Sequence, residues 1–212
     1  MKRKLLITGF DPFGGQTVNP SWLAVERLPD RIGDFAIYKR MIPTVFGAAA
    51  EAVLEEAEKA QPDVILCVGQ AGGRDAVTPE RIAVNIRDAR IADNAGNQPK
   101  GEFVAKDGPA AYFATVPVEK MAQAIREVDI PATVSNSAGA FVCNDVMYTL
   151  LHHYAGTVVK AGFIHVPYIP EQGSPSLPLE QIMLALERAI ISCETGGERL
   201  VTQNKKECGN KT

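Results

Sequence analysis

The sequence predicts an α/β protein, a three-layer α/β/α single domain built on a largely parallel, twisted sheet. Short apolar runs alternate along the chain with segments whose apolar residues recur at helical spacing. Two of the runs, KLLIT at residues 4–8 and DVILCV at residues 63–68, are apolar almost throughout, which is typical of strands covered on both faces. A length of 212 residues suits one such domain and is too short for two. We therefore expect one domain over residues 1–195 and a polar tail over residues 196–212.

Strands are expected where apolar residues run together or alternate with polar ones. The predicted strands are residues 4–8, 36–43, 63–68, 81–87, 112–116, 132–134 and 161–166. The segment RIAVNIR at 81–87 alternates, and the loop DNAGNQPKGE separates it from a possible hairpin partner at 112–116. Glycine-rich segments follow the first and third strands, as expected for turns.

Helices are expected where apolar residues recur every three or four positions. The predicted helices are residues 20–28, 48–60, 118–128, 143–154 and 179–193. Asn19 suits an N-cap and Pro20 the first position of the first helix, while Pro62 ends the second. The last helix carries Leu179, Ile182 and further apolar residues on one face, and should close the domain.

Composition excludes several classes of function. Lys and Arg number 22 against 25 Asp and Glu, a net charge of −3 with no basic stripe, so nucleic acid is not an expected partner. The apolar runs have only strand length, so neither a membrane span nor a secretion signal is expected. The four cysteines, at 67, 143, 193 and 208, form no CxxC pair. This pattern favours reduced thiols in a cytoplasm over disulfides or a metal site, although it leaves open whether Cys193 and Cys208 oxidise between subunits.

The chemistry-bearing segments follow predicted strands. In a parallel sheet the binding crevice lies beyond the carboxyl ends of the strands. The segments GFDPFGG, GQAGGR, SNSAGAFVC and HVPYIP would therefore meet at one edge, bringing Cys143 and His165 together.

Cys143 stands where a helix is predicted to begin. Unpaired amides at a helix start favour the thiolate, which is the nucleophilic form of cysteine, and the amide of Cys143 is a possible oxyanion donor. The alternative is a buried cysteine that packs with Phe141 and Val142, since free cysteine is among the most buried residue types.

Of the three histidines, only His165 suits the role of a base. His152 and His153 follow Cys143 in the same predicted helix, so they lie about 14 Å along its axis, where they suit the helix end. His165 ends the predicted strand at 161–166, on the same edge as Cys143.

Strand parity indicates a third member. In ERIAVNI, Glu80 shares a face with Ile82 and Val84, and a carboxylate on an apolar face needs a hydrogen-bonded partner. Glu80 is thus a candidate to orient the imidazole of His165. The alternatives are a solvated strand end, or a pair with Arg81 or Arg74.

Five long motifs resemble those of the type I pyroglutamyl peptidases, also called pyrrolidone-carboxylate peptidases, a family of cysteine peptidases. The motifs are TGFDPFGG with the following NPS, GQAGGR with PERIAVN, DARIADN, SNSAGAFVCN and FIHVPYIP, in family order from about residue 5 to about residue 193. The resemblance implies removal of an N-terminal pyroglutamyl residue from peptides, without cofactor or metal, by an α/β/α homotetramer. It places the nucleophile on Cys143, the general base and acid on His165 and the orienting acid on Glu80. It also implies that Arg90 lies near the centre and supports the oxyanion with the Cys143 amide.

The substrate implied by this resemblance is a small, flat, uncharged lactam, which needs an apolar slot and a few backbone hydrogen bonds. Phe10 and Phe13 flank a rigid Asp-Pro turn, and Phe141 and Val142 precede the nucleophile, so these four are candidates for the slot. The resemblance supports Phe10 and Phe13 as ring contacts and the Gln70 backbone as the lactam's partner. Plain core packing is the alternative for the two phenylalanines.

Two other functions compete with this interpretation. GFDPFGG and GQAGGR with Arg74 could cradle phosphate in a phosphorylase-like transferase, but Asp11 repels phosphate and Pro12 removes an amide. A binding or thiol-sensing protein with a reactive Cys143 and no turnover is the non-enzymatic alternative. We expect instead acyl transfer through a thioester on Cys143.

Overall fold

A six-stranded sheet forms the middle layer of the molecule in the computed structural model, which describes residues 3–194. The strands of this part of the chain are β1 (Arg3–Phe10), β2 (Arg31–Ile32), β3 (Phe35–Ile42), β4 (Val64–Gln70), β5 (Thr78–Glu80), β6 (Ile82–Val84), β7 (Ala111–Phe113) and β8 (Lys160–Val166). The main sheet has the order β2-β3-β1-β4-β8-β5, and β6 pairs with β7 in a separate two-stranded sheet. The four central strands are parallel, while β2 and β5 run antiparallel at the two edges.

Helices cover both faces of the main sheet. They are α1 (Pro20–Arg27), α2 (Ala48–Ala60), α3 (Val118–Arg126), α4 (Val142–His153) and α5 (Leu179–Ser192), with a short 3₁₀ helix at Pro170–Gln172. Helices α1, α3 and α5 bury their apolar faces in one core, and α2 and α4 bury theirs in the other. The expected three-layer α/β/α architecture is therefore confirmed.

Alternation along the strands decides which side chains face α4. Ile65, Cys67 and Phe163 lie in the core beneath α2 and α4, whereas Leu66 and Ile164 lie in the opposite core. Successive side chains of a strand point to opposite faces, so the position two residues after Phe163 faces α4 again. That position holds the histidine of FIHV.

The helix starts and ends follow local sequence signals closely. The Asn19 side chain accepts a hydrogen bond from the amide of Ser21, and Pro20 holds the first helical position, as expected. Helix α2 has the predicted bounds of 48–60, ending at the left-handed Gln61. Within residues 3–194, no helix combines the length and the apolar character needed to cross a membrane.

Two strand predictions were wrong. The segment at 81–87 is not one strand, because the chain leaves the main sheet after Glu80 and continues in β6 beside β7. The segment at 132–134 forms only an isolated bridge, between Ala132 and Val77. In both cases apolar residues pack at the sheet margin without a continuous ladder of backbone hydrogen bonds, which periodicity alone does not reveal.

Candidate active site

The carboxyl ends of β4 and β8 meet the start of α4. Gly69 on β4 is the register partner of His165 on β8, so both lie at the same level of the same sheet face. A Cβ atom at Gly69 would stand 3.0 Å from Cys143 Sγ and 2.8 Å from the ring of Phe163. Because Gly69 has no side chain, Cys143 Sγ can occupy this space, next to strand β8, which carries His165.

Helix α4 is held at its start by the two residues that follow Cys143. Asn144 Oδ1 accepts from the Val84 amide at 2.9 Å, while its Nδ2 donates to Val84 O at 2.8 Å and to Ile86 O at 3.0 Å. Asp145 accepts from Arg87 Nε at 2.6 Å and from the Gly47 amide at 2.8 Å. Both side chains are fully buried, so they fix the thiol's position in the molecule. Sequence analysis missed them, although two adjacent polar residues within an apolar helix face were a usable signal.

His165 and Glu80 form a buried pair. His165 Nδ1 lies 2.7 Å from Glu80 Oε1, and the two residues are 5 % and 0 % exposed. A carboxylate only accepts hydrogen bonds, so Nδ1 carries the proton and Nε2 is left as the nitrogen that can exchange one. The predicted pairing of this carboxylate with this imidazole agrees with the geometry.

The strand-parity argument for Glu80 was wrong, although Glu80 does contact His165. Its parity with Ile82 and Val84 has no meaning, because those residues belong to another sheet. Glu80 faces α4 because it is the register partner of Phe163 in the antiparallel pair of β5 and β8. The alternative pairing with Arg74 also holds, since Arg74 Nη1 donates to the same Oε1 at 2.7 Å. Arg81 instead pairs with Glu119.

The thiol and the imidazole are both neutral at rest. Burial raises the pKa of Cys143 to about 12, and the charge of Glu80 adds to this effect. Burial lowers the pKa of His165 below 6.5, and the hydrogen bond and charge of Glu80 offset only part of that shift. The expectation of a lowered thiol pKa was therefore wrong, because the cost of burying the thiolate exceeds the benefit of its own amide and the helix start.

An aromatic cluster lies beside the nucleophile. The rings of Phe13 and Phe141 are 5.3 Å apart at 45°, and Phe46 meets Phe141 edge-on at 5.2 Å. Phe13 and Phe141 are half-buried, which leaves part of each ring accessible. Phe46 was not foreseen, because nothing in the sequence near it signals a site.

Phe10 and Val142 lie deeper than these rings. Both are buried in the core beneath α2 and α4, where Phe10 packs against Phe163 with ring centroids 6.3 Å apart. Gln70, the last residue of β4, accepts a hydrogen bond on its side-chain oxygen from Gln172 at 2.9 Å. Arg90 is exposed, and its backbone oxygen accepts from Gln98 at 2.9 Å.

The loop that carries Phe13 is pinned by a carboxylate. Asp11 Oδ1 accepts from the amide and the hydroxyl of Thr44, each at 2.7 Å, and from Asn94 Nδ2 at 3.2 Å. Buried Asp93 accepts four further hydrogen bonds, one of them from the Phe46 amide at 2.9 Å. Asp11 is thus occupied within the protein, and the GFDPFGG loop is a rigid support for its aromatic ring.

The other two histidines lie at the far end of α4, as predicted. His152 Nδ1 is 2.9 Å from the hydroxyl of Tyr112, and its ring stacks on Tyr148. His153 is exposed and meets Tyr154 edge-on. Neither residue belongs to the site.

A thiol at a helix start, on the same sheet face and at the same level as an imidazole that is held by a buried carboxylate, is an arrangement typical of cysteine-type hydrolases. The pyroglutamyl peptidase family model matches residues 3–195 of the chain. The chain belongs to this family.

Individual relatives agree over nearly the whole length. The pyrrolidone-carboxylate peptidase of Bacillus amyloliquefaciens is 48% identical, covering 94% of this chain and 100% of that protein. The protein of the same name from Yersinia pestis is 48% identical, covering 89% of this chain and 91% of that one. The crystal structure of pyroglutamyl peptidase I from Bacillus amyloliquefaciens superposes with a TM-score of 0.90 at 47% identity, covering 92% of this chain and 97% of that one.

Proposed function

We propose that this protein hydrolyses the N-terminal pyroglutamyl residue from peptides, as an exopeptidase that forms a thioester on Cys143. The observation that carries the proposal is the buried pair of His165 and Glu80, on the sheet face and at the level where the sulfur lies. The names of the relatives point to the same substrate.

In the first half of the reaction, Cys143 Sγ attacks the exocyclic carbonyl carbon of the pyroglutamyl residue. The S–H proton passes to His165 Nε2 as the S–C bond forms, so a thiol with a raised pKa need not ionise beforehand. Glu80 stabilises the imidazolium that results. The Cys143 amide, supported by Arg90, binds the oxyanion, and the C–N bond then breaks as His165 gives its proton to the departing amine.

In the second half, water resolves the thioester. His165 Nε2 takes a proton from the water as its oxygen attacks the same carbon. The S–C bond breaks, the proton returns to the sulfur and free pyroglutamate leaves. Atoms and charge balance without any cofactor.

Recognition of the lactam fits the aromatic cluster. Phe13 and Phe141 present two half-buried rings beside the nucleophile, with Phe10 and Val142 beneath them. The Gln70 backbone, at the end of β4, supplies the lactam's hydrogen bonds in this proposal. A free amine or an ionised glutamate would lose its hydration in such a slot and is disfavoured.

The decisive experiment is release of a chromogenic amine from a pyroglutamyl substrate, with prolyl and glutamyl analogues run beside it. We expect cleavage of the pyroglutamyl compound alone, and its loss in Cys143→Ser. Cys193→Ser is the matched control, because that buried thiol lies at the end of α5, and it should retain cleavage. Equal cleavage of the prolyl compound, or an active Cys143→Ser variant, would overturn the proposal, and labelling of Cys143 without turnover would favour the sensor alternative.

We propose further that the protein works as a homotetramer in the cytoplasm. The described chain exposes several large apolar side chains, among them Ile91, Phe103 and Phe113, which a partner subunit could cover. Cys67, Cys143 and Cys193 are free thiols, which suits a reducing compartment. Light scattering coupled to size exclusion would report about four times the chain mass, and a monomer at micromolar concentration would refute the tetramer.

A further inference from the structure

Arg74 contacts the carboxylate of Glu80 that also pairs with His165. Its Nη1 donates to Glu80 Oε1 at 2.7 Å, the same oxygen that accepts from His165 Nδ1 at 2.7 Å. Nη1 also donates to Thr78 Oγ1 at 2.5 Å, and Nη2 reaches Ser137 O at 3.4 Å. One guanidinium thus joins the turn after β4, strand β5 and the loop that precedes α4.

The geometry of the turn makes this contact possible. Gly73 has a φ of +85°, a left-handed conformation that glycine adopts without strain, and the chain reverses there directly before Arg74. The guanidinium is planar and carries several donors in a fixed fork, so it can hold three acceptors at once. A lysine at this position has a single compact ammonium and would keep the charge but not the fork.

Glu80 is a buried carboxylate, and a nearby cation stabilises its charged form. This carboxylate is 0 % exposed, and its Oε1 accepts from both His165 and Arg74. Burial by itself raises the pKa of Glu80, yet the pKa lies below 4.5 because the hydrogen bond and charge of His165, and hydrogen bonds from Ser135 and Arg74, favour the ionised form. The Arg74 side chain is 32% exposed and so keeps part of its hydration while it neutralises the buried charge.

We propose that Arg74 is a positioning residue, which acts through Glu80 to hold the ring of His165 and to keep its imidazole neutral in the resting protein. This inference rests on the proposed function, because it assigns Arg74 a part in the same reaction. Arg74 itself touches neither the sulfur nor, in this scheme, the substrate.

Two charged groups act on His165, Glu80 from β5 and Arg74 from the turn after β4. The thiols of Cys143, on α4, and Cys67, on β4, lie on the same side of the sheet. The two thiols are neutral, since burial raises the pKa of each to about 12. Burial has the largest effect and lowers the pKa of His165; of the two charged groups, Glu80 raises this pKa and Arg74 lowers it.

The first test is the pH profile of kcat/KM for Arg74→Gln and Arg74→Lys. A base must be unprotonated, so activity falls as the pH drops through the pKa of His165. Arg74→Gln removes the charge that opposes protonation, so the acid limb should move to higher pH. Its kcat should also fall by about 10- to 100-fold, the scale of one charge-assisted hydrogen bond. Arg74→Lys should keep the acid limb near that of the wild type while kcat falls.

The matched control is Arg81→Gln. Arg81 lies next to Glu80 in sequence but pairs with Glu119 and Asn136 at the surface. This variant should keep the wild-type acid limb and kcat. An acid limb that Arg74→Gln leaves in place, or one that Arg81→Gln moves equally, would overturn the inference.

The second test does not depend on turnover. The chain has three histidines, so an NMR titration of the imidazole nitrogens resolves each of them, with His152 and His153 as internal references. In Arg74→Gln the pKa of His165 should rise. If the wild type cleaved no pyroglutamyl substrate but this shift appeared, the proposed function would fail and the role of Arg74 would stand. If the enzyme were active but the pKa of His165 did not change in Arg74→Gln, the role of Arg74 would fail and the proposed function would stand.

A double-mutant cycle separates action through Glu80 from a general loss of structure. If Arg74 works through the carboxylate, Arg74→Gln should lower kcat by a much smaller factor in a Glu80→Gln background than in the wild type. An equal fall of kcat in the two backgrounds would show that Arg74 acts by another route.

Discussion

At the scale of single residues, the hydrogen that Gly69 carries in place of a side chain decides where the sulfur lies. Any Cβ there would press on Cys143 Sγ and on the Phe163 ring. Gly69→Ala should therefore displace the thiol and lower kcat by about 100-fold, the scale for a misplacement of about 1 Å. Overpacking should lower the free energy of unfolding by about 1–3 kcal/mol. Amine release and denaturant unfolding would measure the two effects.

Gly162→Ala is the matched control for this change. Gly162 lies on the neighbouring strand β8 but faces the other core, where a Cβ would meet Val116. It should destabilise the protein to a similar degree while kcat per folded molecule stays near the wild-type value. If both variants lost the same share of kcat, the space at Gly69 would have no special bearing on the thiol.

The pKa values of the buried pair also set how stability depends on pH. The pKa of His165 is below its ordinary 6.5 and that of Glu80 below its ordinary 4.5, so in both cases the unfolded chain takes up protons more readily than the folded one. The free energy of unfolding should therefore fall as the pH drops below about 6.5, and fall further below about 4.5.

Denaturant titrations between pH 7 and pH 4 would measure this loss. His165→Asn removes one of the two groups, so its stability should fall less steeply than that of the wild type between pH 7 and pH 5. His153→Asn changes an exposed residue and should keep the wild-type slope. A wild type whose stability did not change over this range would contradict the assignment of a buried, neutral imidazole.

At the scale of elements, the start of α4 depends on Asn144, whose side chain pairs with three backbone groups, two on Val84 at the end of β6 and one on Ile86. Asn144→Ala would remove the partner of the Val84 amide and of the Ile86 oxygen, while Val84 O would keep its hydrogen bond from the Ile86 amide. We expect a loss of about 3 kcal/mol in the free energy of unfolding. A fall in kcat should accompany it, because the residue adjoins Cys143.

Thr149→Ala in the same helix is the comparison, since Thr149 is half-buried and further from the site. It should change the free energy of unfolding by no more than about 0.5 kcal/mol. Thermal and denaturant unfolding measure the stability, and amine release measures kcat. A harmless Asn144→Ala variant would show that α4 keeps its position without this residue.

Much of the element plan could be predicted from sequence, because its signals are local. The cap at Asn19, the bounds of α2 and the apolar runs of the central strands each depend on a few neighbouring residues. The break after Glu80 could not be predicted, since it depends on β8 offering an edge to β5 and on β7 offering one to β6.

The properties of the site also divide into those that local sequence signals predict and those that depend on distant parts of the chain. Cys143 and His165 follow from their places at the end of the sheet, and Glu80 was found by a parity argument that does not apply. The raised thiol pKa and the contact of Arg74 depend on burial and on side chains brought together from distant parts of the chain. Residue spacing and periodicity do not reveal burial or contacts between residues that are distant in sequence.

At the scale of the whole molecule, the C-terminal part of the described chain fastens α5 to the edge of the sheet. Glu194 Oε1 accepts from the Asp34 amide at 2.6 Å, and Arg3 donates to the backbone oxygen of Cys193 at 3.1 Å. The family match ends at residue 195. A chain that ends at residue 195 should therefore keep kcat/KM within about twofold of the full chain and unfold at the same temperature.

A chain that ends at Ser192 is the control. It loses both anchors, so its unfolding temperature should fall, by about 2–4 °C for each kcal/mol lost. Calorimetry and amine release on the two shortened chains would measure this. If the chain ending at residue 195 were inactive or unstable, the boundary proposed between domain and tail would be wrong.

The strand order has a consequence for how the protein is made. In the main sheet β5 pairs only with β8, and β8 is the last strand within residues 3–194. Until residues 160–166 emerge, Glu80 lacks its partner strand and the imidazole of His165 has not been synthesised. A nascent chain therefore carries no competent hydrolase until β8 has been synthesised and has joined the sheet.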